Sequence, residues 1–249
     1  MIISYDEIIN LNLWWKINNL LKIRDKFNIP KWFVISNFSY NHKELNNFYS
    51  KNINSDFYIC RSSMNNEDSN KISYAWLFES IEWKYVDNNL VLDIKEVFDS
   101  LNNNFLDEYE EKILWEKIIN REMNVLVQEF IVWDISWVYF SNYNWSRLIE
   151  YIKWCNQFLV EGVVNSNKIV LDLDYNISKH IKTNQYKYIW ENLDIFVYNK
   201  ENNCLNETMM ILLIKELKRL REFFDFEIDV EWTIKNDKLF ILQVRPITI

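Results

Sequence analysis

Ile228-Asp229-Val230-Glu231-Trp232-Thr233-Ile234 and Lys238-Leu239-Phe240-Ile241-Leu242-Gln243-Val244-Arg245 read as the two strands of a hairpin. In the first strand the even positions are apolar and the odd ones, Asp229, Glu231 and Thr233, are polar, the period-two signature of a strand with unlike faces. In the second, Phe240, Leu242 and Val244 are apolar, while Gln243 and Arg245 share the other face with Ile241. A two-residue loop at Asn236–Asp237 would set Glu231 opposite Leu242 and mix polar with apolar side chains. A three-residue loop sets Glu231 opposite Gln243 and Asp229 opposite Arg245, which segregates the faces, so we expect that loop and that register. The result is one wall carrying two carboxylates, an amide and a guanidinium. Oxygen ligands beside an arginine suit Mg²⁺ and a polyphosphate. A solvated face of an antiparallel sheet carries the same residue types, so the hairpin alone leaves both readings open.

Upstream, apolar residues at helical spacing predict a helix over Lys16–Phe27, followed by a turn at Asn28–Pro30 and a strand over Trp32–Ser36. A strand at Phe57–Cys60 is expected to give way to a polar segment, Arg61–Tyr74. Residues 93–121 read as one or two helices with a break at Asn102–Asn104, and strands are expected at Val125–Val132, Ile135–Phe140, Leu148–Ile152 and Ile169–Leu173. A long helix, Glu207–Phe224, should turn Leu212, Leu213, Leu217 and Leu220 inward. Strands and helices without strict alternation point to an α+β fold, with a soft seam near residues 120–125.

Composition narrows the classes. The chain has 249 residues with a single glycine, Gly162, one alanine, Ala75, two prolines, 34 asparagines and twelve tryptophans. Average usage of about 7% would give roughly 17 glycines. Asparagine relieves part of the shortage, because it tolerates positive φ better than other residues with a Cβ. Aromatic content of 17% excludes disorder. A net charge of -8 with scattered Lys and Arg offers no basic stripe for nucleic acid. No apolar run approaches the roughly 18–20 residues that span a bilayer, and the acidic start MIISYDEIIN is unlike a signal peptide. Cys60, Cys155 and Cys204 lack metal-ligand spacing and read as reduced thiols, so a cytoplasmic location is expected.

Six ordered blocks carry a resemblance. They are Cys60-Arg-Ser-Ser-Met-Asn-Asn-Glu-Asp68, Ser73-Tyr-Ala-Trp-Leu-Phe-Glu-Ser80, Val127-Gln-Glu-Phe-Ile-Val132, Asp134-Ile-Ser-Trp-Val-Tyr-Phe140, Asp229-Val-Glu-Trp232 and Leu242-Gln-Val-Arg-Pro-Ile-Thr248. Together they resemble the N-terminal ATP-grasp domain of phosphoenolpyruvate synthase and pyruvate phosphate dikinase, in order and over nearly the whole chain. The resemblance implies an α+β ATP-grasp fold of two lobes closing on ATP·Mg²⁺. Residues 1–120 would carry Lys16, Arg61 and the phosphate loop, and residues 121–249 the adenine hinge and the metal-binding hairpin.

The same resemblance bears on composition. Trp14 and Trp15 stand where the family has a Gly-Gly before a lysine, and Trp32 where a glycine precedes Phe-Val-Ile. Trp76 follows Ala75 in the place of the phosphate loop's Ala-Gly, Trp137 falls on the glycine of Asp-x-Ser-Gly-Val, and Trp154 on that of Gly-Leu-Gly-Glu. Asn144-Trp145 sits where an Asn-Gly turn is natural. Trp232 lies where the family itself has an aromatic residue. An AT-rich genome that reads UGA as glycine, translated with a table that reads UGA as tryptophan, produces this surplus and this shortage together. The competing reading is of genuine tryptophans that fill a core or stack on sugars.

The roles that follow are what the resemblance implies. Lys16 and Arg61 would grip ATP phosphates, the first as a point charge and the second as a planar fork. The backbone of Ser73–Ser80, including Ala75 and Trp76, would cradle phosphate; Gln128, Phe130 and Ile131 would form the adenine hinge. Glu231 and Gln243 would hold Mg²⁺, Arg245 would stabilise the transferring phosphoryl group, and Asp229 would orient Arg245 or join the metal shell. Glu67 and Asp68 belong to a family motif of unassigned role. Gln157 replaces the glutamate of Gly-Leu-Gly-Glu, a departure that removes a charge beside the nucleotide. Family enzymes relay phosphate through a histidine on a swivelling domain to an acceptor on a further domain. The chain ends at Ile249 where that swivelling domain is expected, and His42 and His180, read as polar surface residues, lack the Thr-Ser-His context. The expected activity is therefore (pyro)phosphoryl transfer from ATP to a histidine elsewhere. Alternatives are a silent nucleotide-binding or regulatory module and a dikinase for an antibiotic or a glucan.

Overall fold

The computed structural model describes residues 2–4, 14–36, 41–53, 55–64, 68–69, 72–73, 80–85, 89–102, 112, 122–131, 135–153, 166–183, 185–191, 194–201 and 205–247, with backbone alone at 68–69, 72–73, 80, 82–85, 102, 136–137, 153, 185–191 and 194–201. They form two compact units, one within Met1–Leu21 and Pro30–Ile131, the other within Lys22–Ile29 and Val132–Ile247. The expected α+β class is borne out: among the described residues the sheets are antiparallel, with helices beside them.

The first unit is built on a five-stranded sheet ordered β1-β2-β7-β3-β6, comprising β1 Ile2–Ser4, β2 Trp32–Ile35, β3 Phe57–Met64, β6 Ser80–Tyr85 and β7 Met123–Glu129. Phe33 and Ile35, Tyr58 and Cys60, Ile81, and Val125 and Val127 share one face. They pack in one core with Leu45 and Tyr49 of α2 (His42–Asn52) and with Leu90, Val91, Ile94 and Val97 of α3 (Leu90–Asp99). Each fully buried aliphatic side chain of this kind contributes about 1.5–3 kcal/mol. One acid enters this core: Asp93 accepts a 2.5 Å bond from Tyr58 Oη, which ties α3 to β3. Burial, more than that bond, raises the Tyr58 phenol and leaves it neutral. Helix α2 was absent from the sequence-based elements. Its start is nonetheless written in Asn41 and Glu44, whose side chains bond each other's backbone N–H in a capping box.

Helix α1 spans Trp14–Ile23, and the turn Lys26–Phe27 closes it earlier than expected. The strand expected at Phe57–Cys60 continues to Met64, so Arg61, Ser62 and Ser63 are strand residues and not loop. Beyond α3 a 3₁₀ turn, Ser100–Asn102, runs to the expected break. The rest of the helix expected over 93–121, apart from residue 112, lies outside the described residues. Strands β4 (Asp68–Ser69) and β5 (Ile72–Ser73) form a small ladder of their own.

The second unit carries a six-stranded sheet ordered β11-β10-β9-β8-β14-β15. Its members are β8 Ile135–Tyr143, β9 Ser146–Lys153, β10 Asn167–Leu171, β11 Ile177–Ile181, β14 Ile228–Lys235 and β15 Lys238–Pro246. A separate ladder joins β12 Gln185–Glu191 to β13 Asp194–Glu201. Helix α4, Glu207–Arg221, starts at the Asn206 cap and buries Leu213, Leu217 and Leu220. Leu212, expected to face inward, is exposed, one step off that stripe. Among the described residues no helix is long and apolar enough to cross a membrane.

Candidate functional site

The hairpin β14–β15 pairs Asp229 with Arg245, Val230 with Val244 and Glu231 with Gln243. This is the register expected from the segregation of faces, but the loop that sets it is different. Lys235 pairs with Lys238, so the turn is the two residues Asn236 and Asp237, at φ 49° and 58°. Two successive left-handed residues match the right-handed twist of the flanking strands. The offset is absorbed farther along: Trp232 faces Ile241 while Glu231 faces Gln243, which makes Leu242 the extra residue of a β-bulge. A bulge re-aims the side chains beyond it, and here it returns Gln243 and Arg245 to the face of Glu231 and Asp229.

On that wall Arg245 Nε donates to Asp229 Oδ2 at 2.6 Å. The Asp229 side chain is 7% exposed and that of Arg245 is 28%, so the guanidinium is held by a nearly buried carboxylate. A pair in this setting fixes geometry more than it adds stability, because desolvation offsets much of the attraction. Glu231 is half-buried beside buried Gln243. Among the described residues no three His, Cys, Asp or Glu side chains cluster as a metal cage. One carboxylate and one amide still fit Mg²⁺, which keeps several waters and completes its shell with substrate phosphates.

In the first unit, Lys16 Nζ donates to the Ser62 carbonyl oxygen at 3.0 Å. The structure thus brings the first turn of α1 to β3, one residue from Arg61. Arg61 pairs with Leu126 and Ser80 and lies on the sheet face opposite the core cluster, along with Gln128 of β7. Gln128 is buried between Trp32 and Ile59 in the ladder. Beyond it, Glu129 N–H donates to Lys31 O and Phe130 N–H to Phe57 O, so these two amides are engaged within the unit. Phe130 and Ile131 are buried apolar residues. Ser73 pairs with Asp68 in the β4–β5 ladder, and Ser80 opens β6. Glu67, Ala75, Trp76, Trp154, Asn156 and Gln157 lie outside the described residues. His42 begins α2 and is exposed. His180 is more than a surface residue, since its Nε2 meets Tyr151 Oη at 3.0 Å; burial, then the charge of Lys182, lowers its pKa.

The backbone also bears on the tryptophans. Trp14, at the start of α1, has φ 65°, and Trp145, in the β8–β9 turn, has φ 63°. Both values lie in the left-handed region that a Cβ disfavours by about 1–2 kcal/mol. Trp232, assigned as a true aromatic, is fully buried in β14. No local motif singles out Glu150 of β9, which accepts from Lys168 Nζ at 2.8 Å and from Ser166 Oγ at 2.7 Å. Its pairing is long-range and becomes visible only through the strand register.

Over a match 201 residues long that covers 76% of this chain, the chain is 23% identical to an uncharacterized phosphotransferase, YvkC, of Bacillus subtilis (strain 168), and it spans only 24% of that relative's length. Among solved structures, D-alanine–D-alanine ligase from Bacillus anthracis complexed with ATP has a TM-score of 0.45 at 10% identity, over 91% of this chain and 52% of the ligase. An ATP-grasp ligase from Chryseobacterium gregarium in complex with ADP and a leader and core peptide has a TM-score of 0.39 at 10% identity, over 91% of this chain and 50% of that one. These structural likenesses are distant. The family model described as pyruvate phosphate dikinase, AMP/ATP-binding domain, matches residues 16–249, nearly the whole chain. The chain therefore belongs to the AMP/ATP-binding domain family of pyruvate phosphate dikinase, an ATP-binding domain of the phosphotransferase type.

Proposed function

We propose that this chain binds ATP·Mg²⁺ and passes a phosphoryl or pyrophosphoryl group to a histidine on a separate domain or chain. The observation that carries the reading is the hairpin wall, where Asp229 pairs with Arg245 and Glu231 with Gln243 inside a family-matched sequence. Arg245 is the group for charge on the transferring phosphoryl, and Asp229 is a positioning residue that holds its guanidinium. Glu231 and Gln243 would hold Mg²⁺, which when bound neutralises phosphate charge. Lys16 and Arg61 are the phosphate cations of the first unit, and the backbone at Ser73, Ala75 and Trp76 is the phosphate loop. Gln128, Phe130 and Ile131 contact the adenine, with apolar packing as the main contribution because the Glu129 and Phe130 amides are engaged elsewhere. Gln157 takes a nucleotide contact without the charge of a glutamate. The site of action in this reading is the cytoplasm.

The test is Mg·ATP titration of the chain as written and of a version with glycine at positions 14, 15, 32, 76, 137 and 154, followed by incubation with a histidine-bearing partner domain and γ- or β-labelled ATP. Label on the partner histidine is the expected result. ATP binding without transfer to any such domain would favour the silent module instead, and no binding by either version would sink the nucleotide reading.

A further inference from the structure

In the six-stranded sheet β15 is an outermost strand, with β14 on one side only. An edge position leaves a row of backbone N–H and C=O groups for water or for a covering segment. The turn after α1 covers part of that row. Asn28 O accepts from Ile241 N–H at 2.9 Å, and Asn28 Nδ2 donates to Leu239 O at 3.2 Å. Arg219 of α4 anchors the covering segment. Its Nη2 donates to Lys26 O at 2.7 Å, and its guanidinium lies 4.5 Å from the centroid of the Phe27 ring, a cation–π contact. Phe27 in turn meets Phe223 edge to face, with centroids 5.5 Å apart. All of these residues belong to the second unit.

The two bonds of Asn28 constrain where the hairpin bulges. In a regular antiparallel strand alternate residues turn their backbone groups to the same side. Leu239 and Ile241 therefore both reach Asn28 only if no extra residue intervenes at Phe240. Glu231 facing Gln243 requires the extra residue to come before Gln243. Leu242 is the position that satisfies both, directly beside Gln243. A bulge nearer the turn would keep the same partners but would move the local bend and added twist away from the wall.

We propose that Asn28 and Arg219 are positioning residues: the segment Lys26–Asn28 straps the edge of β15 and keeps the bulge at Leu242, so that Gln243 and Arg245 hold one orientation beside Glu231 and Asp229. They act through the backbone of β15. The inference rests on the ATP reading above, in which Glu231 and Gln243 would hold Mg²⁺. That ion demands near-ideal octahedral geometry, so the strap's effect is expected in the Mg²⁺ requirement more than in the grip on ATP itself.

The experiment compares Asn28→Ala, Arg219→Ala and Arg219→Lys in the chain as written and in its glycine-containing version, by hydrogen exchange of the β15 amides and by ATP binding at stepped Mg²⁺ concentrations. Arg219→Ala should speed exchange at Ile241 and raise the Mg²⁺ concentration for half-maximal ATP binding about threefold to tenfold, the range that a lost hydrogen bond allows. ATP affinity at saturating Mg²⁺ should change little. Asn28→Ala, which keeps the backbone bond to Ile241, should give a smaller shift of the same kind. Arg219→Lys keeps a donor for Lys26 O and a cation for the Phe27 ring, and should restore most of the parent behaviour. Unchanged exchange at Ile241 in both alanine variants would show that the strap does not hold the edge. Faster exchange with an unchanged Mg²⁺ requirement would reduce the strap to an edge cover and overturn its role at the site, while the ATP reading stands. Equal weakening of ATP at every Mg²⁺ concentration would mean a loss of fold and overturn it as well. If neither background binds ATP at any Mg²⁺ concentration, both readings fall.

Discussion

The sheet of the second unit has two hairpins whose turns share a backbone and differ in residues. Asn236 and Asp237 join β14 to β15 at φ 49° and 58°; Asn144 and Trp145 join β8 to β9 at φ 49° and 63°. Each hairpin also carries a bulge, at Leu242 in β15 after its turn and between Phe140 and Tyr143 in β8 before its turn. Asparagine and aspartate accept left-handed backbone because their short polar side chains bond locally. Tryptophan does not, and Trp145 is 89% exposed, so no packing offsets the penalty. By contrast Trp232, in the same sheet, is fully buried and fits an extended strand. The difference teaches that the twelve tryptophans are not one population. At Trp14 and Trp145 the backbone asks for glycine, in agreement with their reading as recoded glycines.

The largest effect that sets the two hairpins apart concerns chemistry. Arg245→Ala should lower phosphoryl transfer by roughly a hundredfold or more, the usual loss when a donor to a developing charge is removed. Asp229→Asn should reduce kcat with less change in ATP binding, since it disturbs only the orientation of Arg245. Trp145→Gly in the other hairpin should leave the rate unchanged. Equal losses from substitutions in the two hairpins would refute the assignment of the wall.

Next in size is stability. Trp145→Gly should raise stability by about 1–2 kcal/mol, because it releases a left-handed Cβ without loss of buried contact. Asn236→Ala and Asp237→Ala should each lower it, the turn being the same and the new residue worse suited. Chemical denaturation of the three variants checks the ordering. A destabilised Trp145→Gly would show that the indole earns its place. Peptide mass spectrometry of the protein from its own source is the direct complement: glycine is expected at 14 and 145, and tryptophan at 232. Tryptophan at Trp14 and Trp145 would end the recoding hypothesis.

Much of the fold was legible because alternation is a local signal. Asp229 and Glu231 against Gln243 and Arg245 gave the wall and its register from sequence alone. The bulge at Leu242 was not legible, since a two-residue turn plus a bulge yields the same partners as a longer loop. Ser62 and Ser63 look like loop residues in isolation, yet pairing with Val125 and Asn124 keeps them in β3. Helix α2 has few apolar residues to show a period, and only Leu45 and Tyr49 are buried on it. Lys16 could be chosen from its motif, but its bond to Ser62 spans 46 residues of sequence and is a property of the folded unit. Glu150 is more remote still, because two strand pairings must be known before it joins the row of Glu231.

The smallest effect distinguishes the two bulges. The β8 bulge is clasped: the Ser141 hydroxyl accepts from Ile228 N–H at 2.7 Å and donates to Glu227, which also takes two bonds from Arg221 at 2.8 Å and 3.2 Å. This joins the end of α4 to the start of β14. The Arg221 bonds hold the Glu227 carboxyl below its ordinary pKa, so its folded state is favoured in the ionised form. The stability it contributes is then fully present above the ordinary carboxylate value and is lost as pH falls through the depressed one. Glu227→Gln should cost under about 1 kcal/mol at neutral pH, given that the Glu227 side chain is 42% exposed and screened by water. The gap between parent and variant should close in acid, where the parent carboxyl is protonated as well. Thermal unfolding of both proteins across that range measures it. A gap that persists at low pH would mean that the amide damages the Ser141 contact itself, and that the β8 bulge depends on the shape of Glu227 and not on its charge.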